Sequence, residues 1–127
     1  MHSDFQGSKQ KKWIGLRPAF HGLMYVTKTE KNFRIQLVIT VLALLSGLFL
    51  RLNGLEWVLL SLTIGLVLAL ELANTAIEQV MNHLSPDFHP IVGRIKDISA
   101  GAVLVTAVIA IVNGCILFLP KIIALIW

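Results

Sequence analysis

The chain has 127 residues, 56% of them hydrophobic and 14% charged, with a mean hydropathy of +0.78. Soluble domains carry about 25% charged residues and roughly 45–50% apolar ones, so a soluble enzyme built on its own large core is excluded. The length allows one domain, and the lone cysteine, Cys115, excludes an internal disulfide and a CxxC metal site.

Residues 1–17, carrying Lys9, Lys11, Lys12 and Arg17, are expected to be a basic, flexible N-terminal segment. The net charge of +4 raises nucleic acid as a partner. Because most of that charge lies beside an apolar run, attraction to anionic headgroups explains it better, and no nucleic-acid partner is expected. From Pro18 the apolar residues Phe20, Leu23 and Met24 recur at helical spacing. They predict a short amphipathic surface helix, with Pro18 tolerated in its first turn. No apolar signal-peptide core occurs in the first 34 residues.

Three spans follow, at about 30–50, 55–80 and 98–119. The first contains 16 uncharged residues, Ile35 to Leu50, and is expected to extend backward through Lys28 and Arg34, whose stems reach the interface. Arg51-Leu52-Asn53-Gly54 reads as the turn of an antiparallel hairpin. The second has only 14 uncharged residues, Trp57 to Leu70, and crosses only if its helix continues through Glu71, Asn74 and Glu78. Ser85-Pro86-Asp87 then reads as a turn and helix start. The third, Ser99 to Leu119, is uncharged for 21 residues, and about 20 suffice to cross the hydrocarbon. Cys115 lies inside it and is expected to be a packing residue.

Seven of the eleven basic residues precede the first span, and the second connection adds Arg94 and Lys96. The positive-inside rule therefore places the N-terminus and the 79–97 loop in the cytoplasm, and the C-terminus outside. Trp57 and Trp127 suit the outer interface and Trp13 the inner one. Residues 18–127 are read as one all-α integral membrane domain, a helical bundle.

Glu71, Asn74, Thr75 and Glu78 stand at offsets of 0, 3, 4 and 7. At about 3.6 residues per turn they share one helix face. The opposite face, Leu72, Ala73, Ala76, Ile77 and Val80, is apolar. A carboxylate at a span's centre costs about 2.5–3.5 kcal/mol on insertion scales, so such residues mark function. Glu30 before the first span and Lys96-Asp97 before the third are expected at the same membrane level. Three carboxylates and a lysine there suit a divalent cation with an anionic ligand, and oxygen donors favour Mg²⁺. No His/Cys quartet exists for zinc, and no Walker A, GxGxxG or Ser-His-Asp pattern occurs. A small channel subunit or membrane scaffold is the competing, non-enzymatic reading.

The stretch Glu71-Leu-Ala-Asn-Thr-Ala-Ile-Glu78 resembles the ELxNTAIE signature of the small bacterial integral-membrane lipid kinases. That family contains prokaryotic diacylglycerol kinase and undecaprenol kinase. The similarity includes Thr29-Glu-Lys-Asn-Phe-Arg-Ile, Ser85-Pro-Asp-Phe-His-Pro and Gly93-Arg-Ile-Lys-Asp-Ile-Ser-Ala-Gly-Ala-Val, and covers roughly residues 15 to 122.

The resemblance implies ATP-dependent phosphorylation of a lipid alcohol by a homotrimer with shared active sites, in a bacterial cytoplasmic membrane. It implies Glu71 as the general base and Glu30 and Glu78 as Mg²⁺ ligands, with Asn74 in support. Asp87, His89, Lys96 and Asp97 match nucleotide-contacting positions, and Lys11 falls near a basic one. Two positions depart from the family pattern. Pro18 replaces an aromatic residue, which affects an adenine-stacking contact, and Asn82 replaces an acid. Asn32-Phe33-Arg34-Ile35 and Phe118-Leu-Pro-Lys-Ile122 are more similar to the undecaprenol branch, and both undecaprenol and diacylglycerol stand as acceptors.

Overall fold

A computed structural model describes residues 15–87 and 89–127, and every regular element among them is helical. They are α1 (Leu16–Thr29), α2 (Lys31–Phe49), α3 (Gly54–Leu84) and α4 (Pro90–Ile126). Lys11 and Trp13 lie outside the described residues.

Helix α1 starts two residues before Pro18, which still falls in the first turn, where a missing N–H leaves no bond unmade. It is the expected amphipathic helix, burying Val26 while Leu16, Phe20 and Met24 stay exposed.

Extension of the first span back through Lys28 is not what the chain does. Glu30 is extended, with φ −107° and ψ 112°, and separates α1 from α2. The cause is the guanidinium of Arg34, which donates through Nη1 to the carbonyls of Thr27 (3.1 Å) and Lys28 (2.8 Å). Those are among the last carbonyls of α1, which a continuing helix would have bonded internally. Lys28 therefore belongs to α1 and Arg34 to α2.

The α2–α3 turn follows the residue chemistry. Arg51 is left-handed, with φ 55°. Asn53 then caps α3 reciprocally with Glu56: Glu56 N donates to Asn53 Oδ1 at 2.9 Å, and Asn53 N donates to Glu56 Oε2 at 3.0 Å. Glu56 also pairs with Lys121 of α4 at 3.1 Å. Gly47 makes the turn possible, because a Cβ there would stand 2.9 Å from the Trp57 ring and 3.0 Å from Leu52.

Helix α3 has 31 residues. At about 1.5 Å per residue it is longer than the ~30 Å hydrocarbon core, so its second half carries the acidic residues to the membrane surface. Helix α4 is longer still and continues through Pro120 to Ile126. Helices α3 and α4 form the main packing pair, with α2 against α3 and α1 against α2. A hydrogen bond from Asn113 Nδ2 to Thr63 Oγ1, 2.9 Å long, joins α4 to α3 inside the apolar region.

Leu52, Leu60 and Leu117 form the small buried cluster, with Ala43, Trp57, Ile64 and Phe118 packed against it. Much of the remaining apolar surface is exposed, Val38, Leu45, Leu62 and Ile111 among it. Cys115 is exposed on α4 as well, rather than packed as expected. Three helices are long and apolar enough to cross a membrane. Helices are one of the two structures whose backbone polar groups are all satisfied internally in lipid. The chain is an integral membrane protein.

Candidate active site

One stripe of α3 organises the site. Leu60, Ile64, Val67, Glu71, Thr75 and Glu78 recur at intervals of three and four, and so lie along one face. Glu71 is only 4% exposed. Its carboxylate accepts a hydrogen bond from Gln36 Nε2 of α2, with Oε2 at 3.2 Å. Thr75, also buried, donates its hydroxyl to the Glu71 carbonyl at 3.0 Å. Asn74 adds a buried Oδ1, and Gln36 a buried Oε1, neither with a partner among the described residues. A buried acceptor without a donor is costly, so two of them beside a buried carboxylate mark a place where a hydroxyl-bearing ligand or water completes the bonding.

Helix α3 reaches α1 one turn further on, where Gln79 Nε2 donates to the Tyr25 hydroxyl at 3.3 Å. This contact brings the Glu78 turn to the end of the bundle where α1 meets α2 at Glu30. Both Glu30 and Glu78 are half-buried. Among the described residues neither carboxylate makes a hydrogen bond or ion pair. No group of three His, Cys, Asp or Glu side chains close enough to hold a metal occurs among them either. Their carboxylate oxygens are the donor type that Mg²⁺ takes, one or two at a time, with water and phosphate oxygens completing its shell. Zinc, which needs a closed set of nitrogen and sulfur ligands, does not fit.

The α3–α4 connection forms a second, polar cleft of about 350 Å³, lined by Asn82, Ser85, Asp87, His89, Lys96 and Asp97 among others. All four described residues expected to contact nucleotide are thus gathered in one place, while Lys11 lies outside the described residues. His89 has a structural duty there, its Nδ1 accepting the Ile91 N–H at 3.1 Å as the cap of α4. Ser85 Oγ donates to the Asp87 carbonyl at 3.0 Å. Lys96 Nζ donates to the Asn82 side chain, fastening α4 to the end of α3. The position where an acid is replaced is therefore the one that holds the lysine.

Gln36 is the residue sequence reasoning missed. It was counted among the uncharged residues of the first span. The available signal is an amide, the most polar side chain in the uncharged run of 16 from Ile35 to Leu50.

A three-span membrane protein with a buried carboxylate on one helix and a polar cleft at the α3–α4 connection has the parts of a small membrane-embedded enzyme. Comparison with known proteins makes this specific. Residues 17–118 match the family described as prokaryotic diacylglycerol kinase, and the chain belongs to that family. It is 38% identical over 103 residues to the undecaprenol kinase of Bacillus subtilis, spanning 81% of this chain and 84% of that protein. Identity to the diacylglycerol kinase of Escherichia coli K12 is 33% over 105 residues, spanning 83% and 80%. The diacylglycerol kinase of Synechocystis is 35% identical over 113 residues, covering 88% of this chain and 65% of that protein. The chain is accordingly a lipid kinase with ATP as phosphoryl donor, and the channel or scaffold reading is not favoured.

Proposed function

We propose that the protein transfers the γ-phosphoryl group of ATP to the hydroxyl of undecaprenol or diacylglycerol at the cytoplasmic surface of a bacterial membrane. The observation that carries this reading is the buried Glu71 carboxylate, held by Gln36 on the stripe that also bears Asn74 and Glu78. The identity of 38% to an undecaprenol kinase, against 33% to the Escherichia coli diacylglycerol kinase, favours a polyprenol acceptor.

Glu71 acts as general base. It accepts the hydroxyl proton while the lipid oxygen bonds to the γ-phosphorus, and the bond from that phosphorus to the bridging oxygen of ADP breaks. Asn74 supports the site from the same helix face. Asp87, His89, Lys96 and Asp97 hold the nucleotide, with Lys11 as a further basic contact. Lys96 supplies positive charge near the phosphates, and phosphoryl transfer depends mainly on such positioning and charge neutralisation. Glu30 and Glu78 would hold Mg²⁺, which when bound neutralises phosphate charge.

The working form is a homotrimer whose active sites are shared between neighbours. The N-terminus is cytoplasmic and the C-terminus outside, in keeping with the crowding of basic residues before α2.

The test is phosphorylation of undecaprenol and diacylglycerol by purified protein with radiolabelled ATP. Glu71→Gln is expected to lower turnover by at least about a hundredfold, the usual contribution of a general base. The variant should keep its helical circular dichroism in detergent. Near-normal turnover by a folded variant removes Glu71 as the base, and no labelling of either lipid by the wild type removes the lipid-kinase reading.

A further inference from the structure

The polar cleft at the α3–α4 connection holds more acid than base. Asp87 and Asp97 line it, against a single amine, Lys96. His89 adds no charge in its capping role. Its Nδ1 accepts the Ile91 N–H at 3.1 Å, and a ring nitrogen that accepts carries no proton. Two carboxylates and one ammonium make a poor receptor for a polyphosphate unless that ammonium keeps its charge available.

Lys96 pairs with neither carboxylate. Among the described residues the one ion pair is Lys121 with Glu56, far from the cleft. Lys96, half-buried in the second turn of α4, instead donates through Nζ to Asn82 Oδ1 in the last turn of α3, 14 positions back. Lysine has donors only, so the amide must present its oxygen, and both Nδ2 hydrogens stay free for another acceptor. Asn82 itself is exposed, so no packing demand dictates this residue type. Asn82 stands four residues after Glu78 and shares its face of α3, about 6 Å further along the axis. The ammonium is thereby tied to the helix face that carries the acidic site.

The type of partner matters as much as its position. A carboxylate at residue 82 could hold the same ammonium, but as an ion pair. It would set a third negative charge beside any bound phosphate and offset the attraction of the lysine. An amide oxygen holds the lysine with a hydrogen bond and leaves its charge uncancelled.

We propose that Asn82 is the positioning residue for Lys96 and sets the affinity of the cleft for ATP, by fixing the ammonium without neutralising it. One Nζ hydrogen goes to Asn82, and the other two are left for phosphate oxygens. The Asn82 Nδ2–H group supplies a further neutral donor beside them. The inference rests on the lipid-kinase reading and on Lys96 meeting the nucleotide.

The test measures the KM for ATP of the full-length protein in detergent micelles, with radiolabelled ATP and with undecaprenol and dioleoylglycerol as acceptors. Asn82→Asp is expected to raise that KM about tenfold at about 50 mM salt, and less than about threefold at about 500 mM, where exposed charges are screened. Asn82→Ala, which frees the lysine without adding charge, should raise it about threefold at either salt concentration. Asn82→Gln, which keeps a neutral acceptor, should stay closer to wild type than Asn82→Ala. The KM for lipid should not change in any of them. Lys96→Met should raise the KM for ATP at least as much as Asn82→Asp. Adding Asn82→Ala to Lys96→Met should cost nothing more, because the first residue acts through the second.

A wild-type KM for ATP in Asn82→Asp, or a rise that salt does not reduce, overturns the role of neutrality. Additive losses from Asn82→Ala and Lys96→Met overturn positioning through Lys96. A wild-type KM in Lys96→Met removes the nucleotide role of Lys96 and this inference with it, while continued lipid labelling leaves the lipid-kinase reading standing. Absence of labelling by the wild-type protein on either lipid strikes that reading and the inference together.

Discussion

At the residue scale the defining fact is a carboxylate held almost out of contact with solvent, in a chain where charge is scarce. Glu71 is 4% exposed, and its one side-chain hydrogen-bond partner among the described residues is a neutral amide. A buried carboxylate paired with no cation is a poor stabilising device, so its placement is explained by chemistry rather than by packing. Glu30 and Glu78 are different, half-buried and uncommitted to any partner among the described residues. That contrast suits the proposed roles, a base in a dry environment and metal ligands that exchange with water. Glu30→Gln and Glu78→Gln are therefore expected to raise the Mg²⁺ concentration needed for half-maximal activity by about tenfold, as loss of one charged ligand would. Titration of activity against free Mg²⁺ checks this, and an unchanged requirement in both variants removes the metal assignment.

At the scale of elements, the helix ends do the positioning. Arg34 terminates α1 by occupying two of its carbonyls, and the break it creates leaves Glu30 at the junction. His89 starts α4 at the edge of the polar cleft. Far from both, Asn53 starts α3 with a reciprocal cap, and Glu56 of that cap also reaches Lys121. Asn53→Ala is expected to lower stability by about 1 kcal/mol, the usual worth of such a cap. Activity at temperatures well below unfolding should be unaffected, because the turn lies about 27 Å along α3 from Glu71. Thermal unfolding in detergent, followed by circular dichroism, measures the first; the labelled-ATP assay measures the second.

At the scale of the whole molecule, a single chain leaves most of its apolar surface uncovered. Lipid solvates some of this surface, and neighbouring copies would cover more of it. The polar cleft at Asn82–Asp97 includes neither Glu71 nor Gln36 in its lining, so one protomer's cleft serving another's Glu71 suits the proposed shared sites. Mixed trimers of Glu71→Gln and Asp97→Asn, each inactive alone, are expected to recover a measurable part of wild-type activity. Complete failure to complement, with mixed assembly confirmed by crosslinking, would argue for self-contained sites.

Much of this was legible in the sequence, for identifiable reasons. Uncharged runs such as Ser99 to Leu119 read directly as spans, because lipid tolerates little else over that length. The Glu71-Asn74-Thr75-Glu78 face was legible because helical periodicity maps spacing onto direction, and the α2–α3 turn because Asn-Gly punctuates a chain locally. The family signature then attached chemistry to those positions. What stayed hidden depends on contacts between segments distant along the chain. The break at Glu30 arises from Arg34 reaching back to Thr27 and Lys28, a bond that residue spacing does not announce. Gln36 beside Glu71, 35 positions away, exists only once α2 lies against α3. The cavity of about 450 Å³ lined by α2, α3 and α4 requires three helices at once. Membrane, spans and acidic face follow from local composition and period, since hydrophobicity and helical pitch act residue by residue. The partner of the buried carboxylate and the cavity between α2, α3 and α4 were decided by tertiary packing alone.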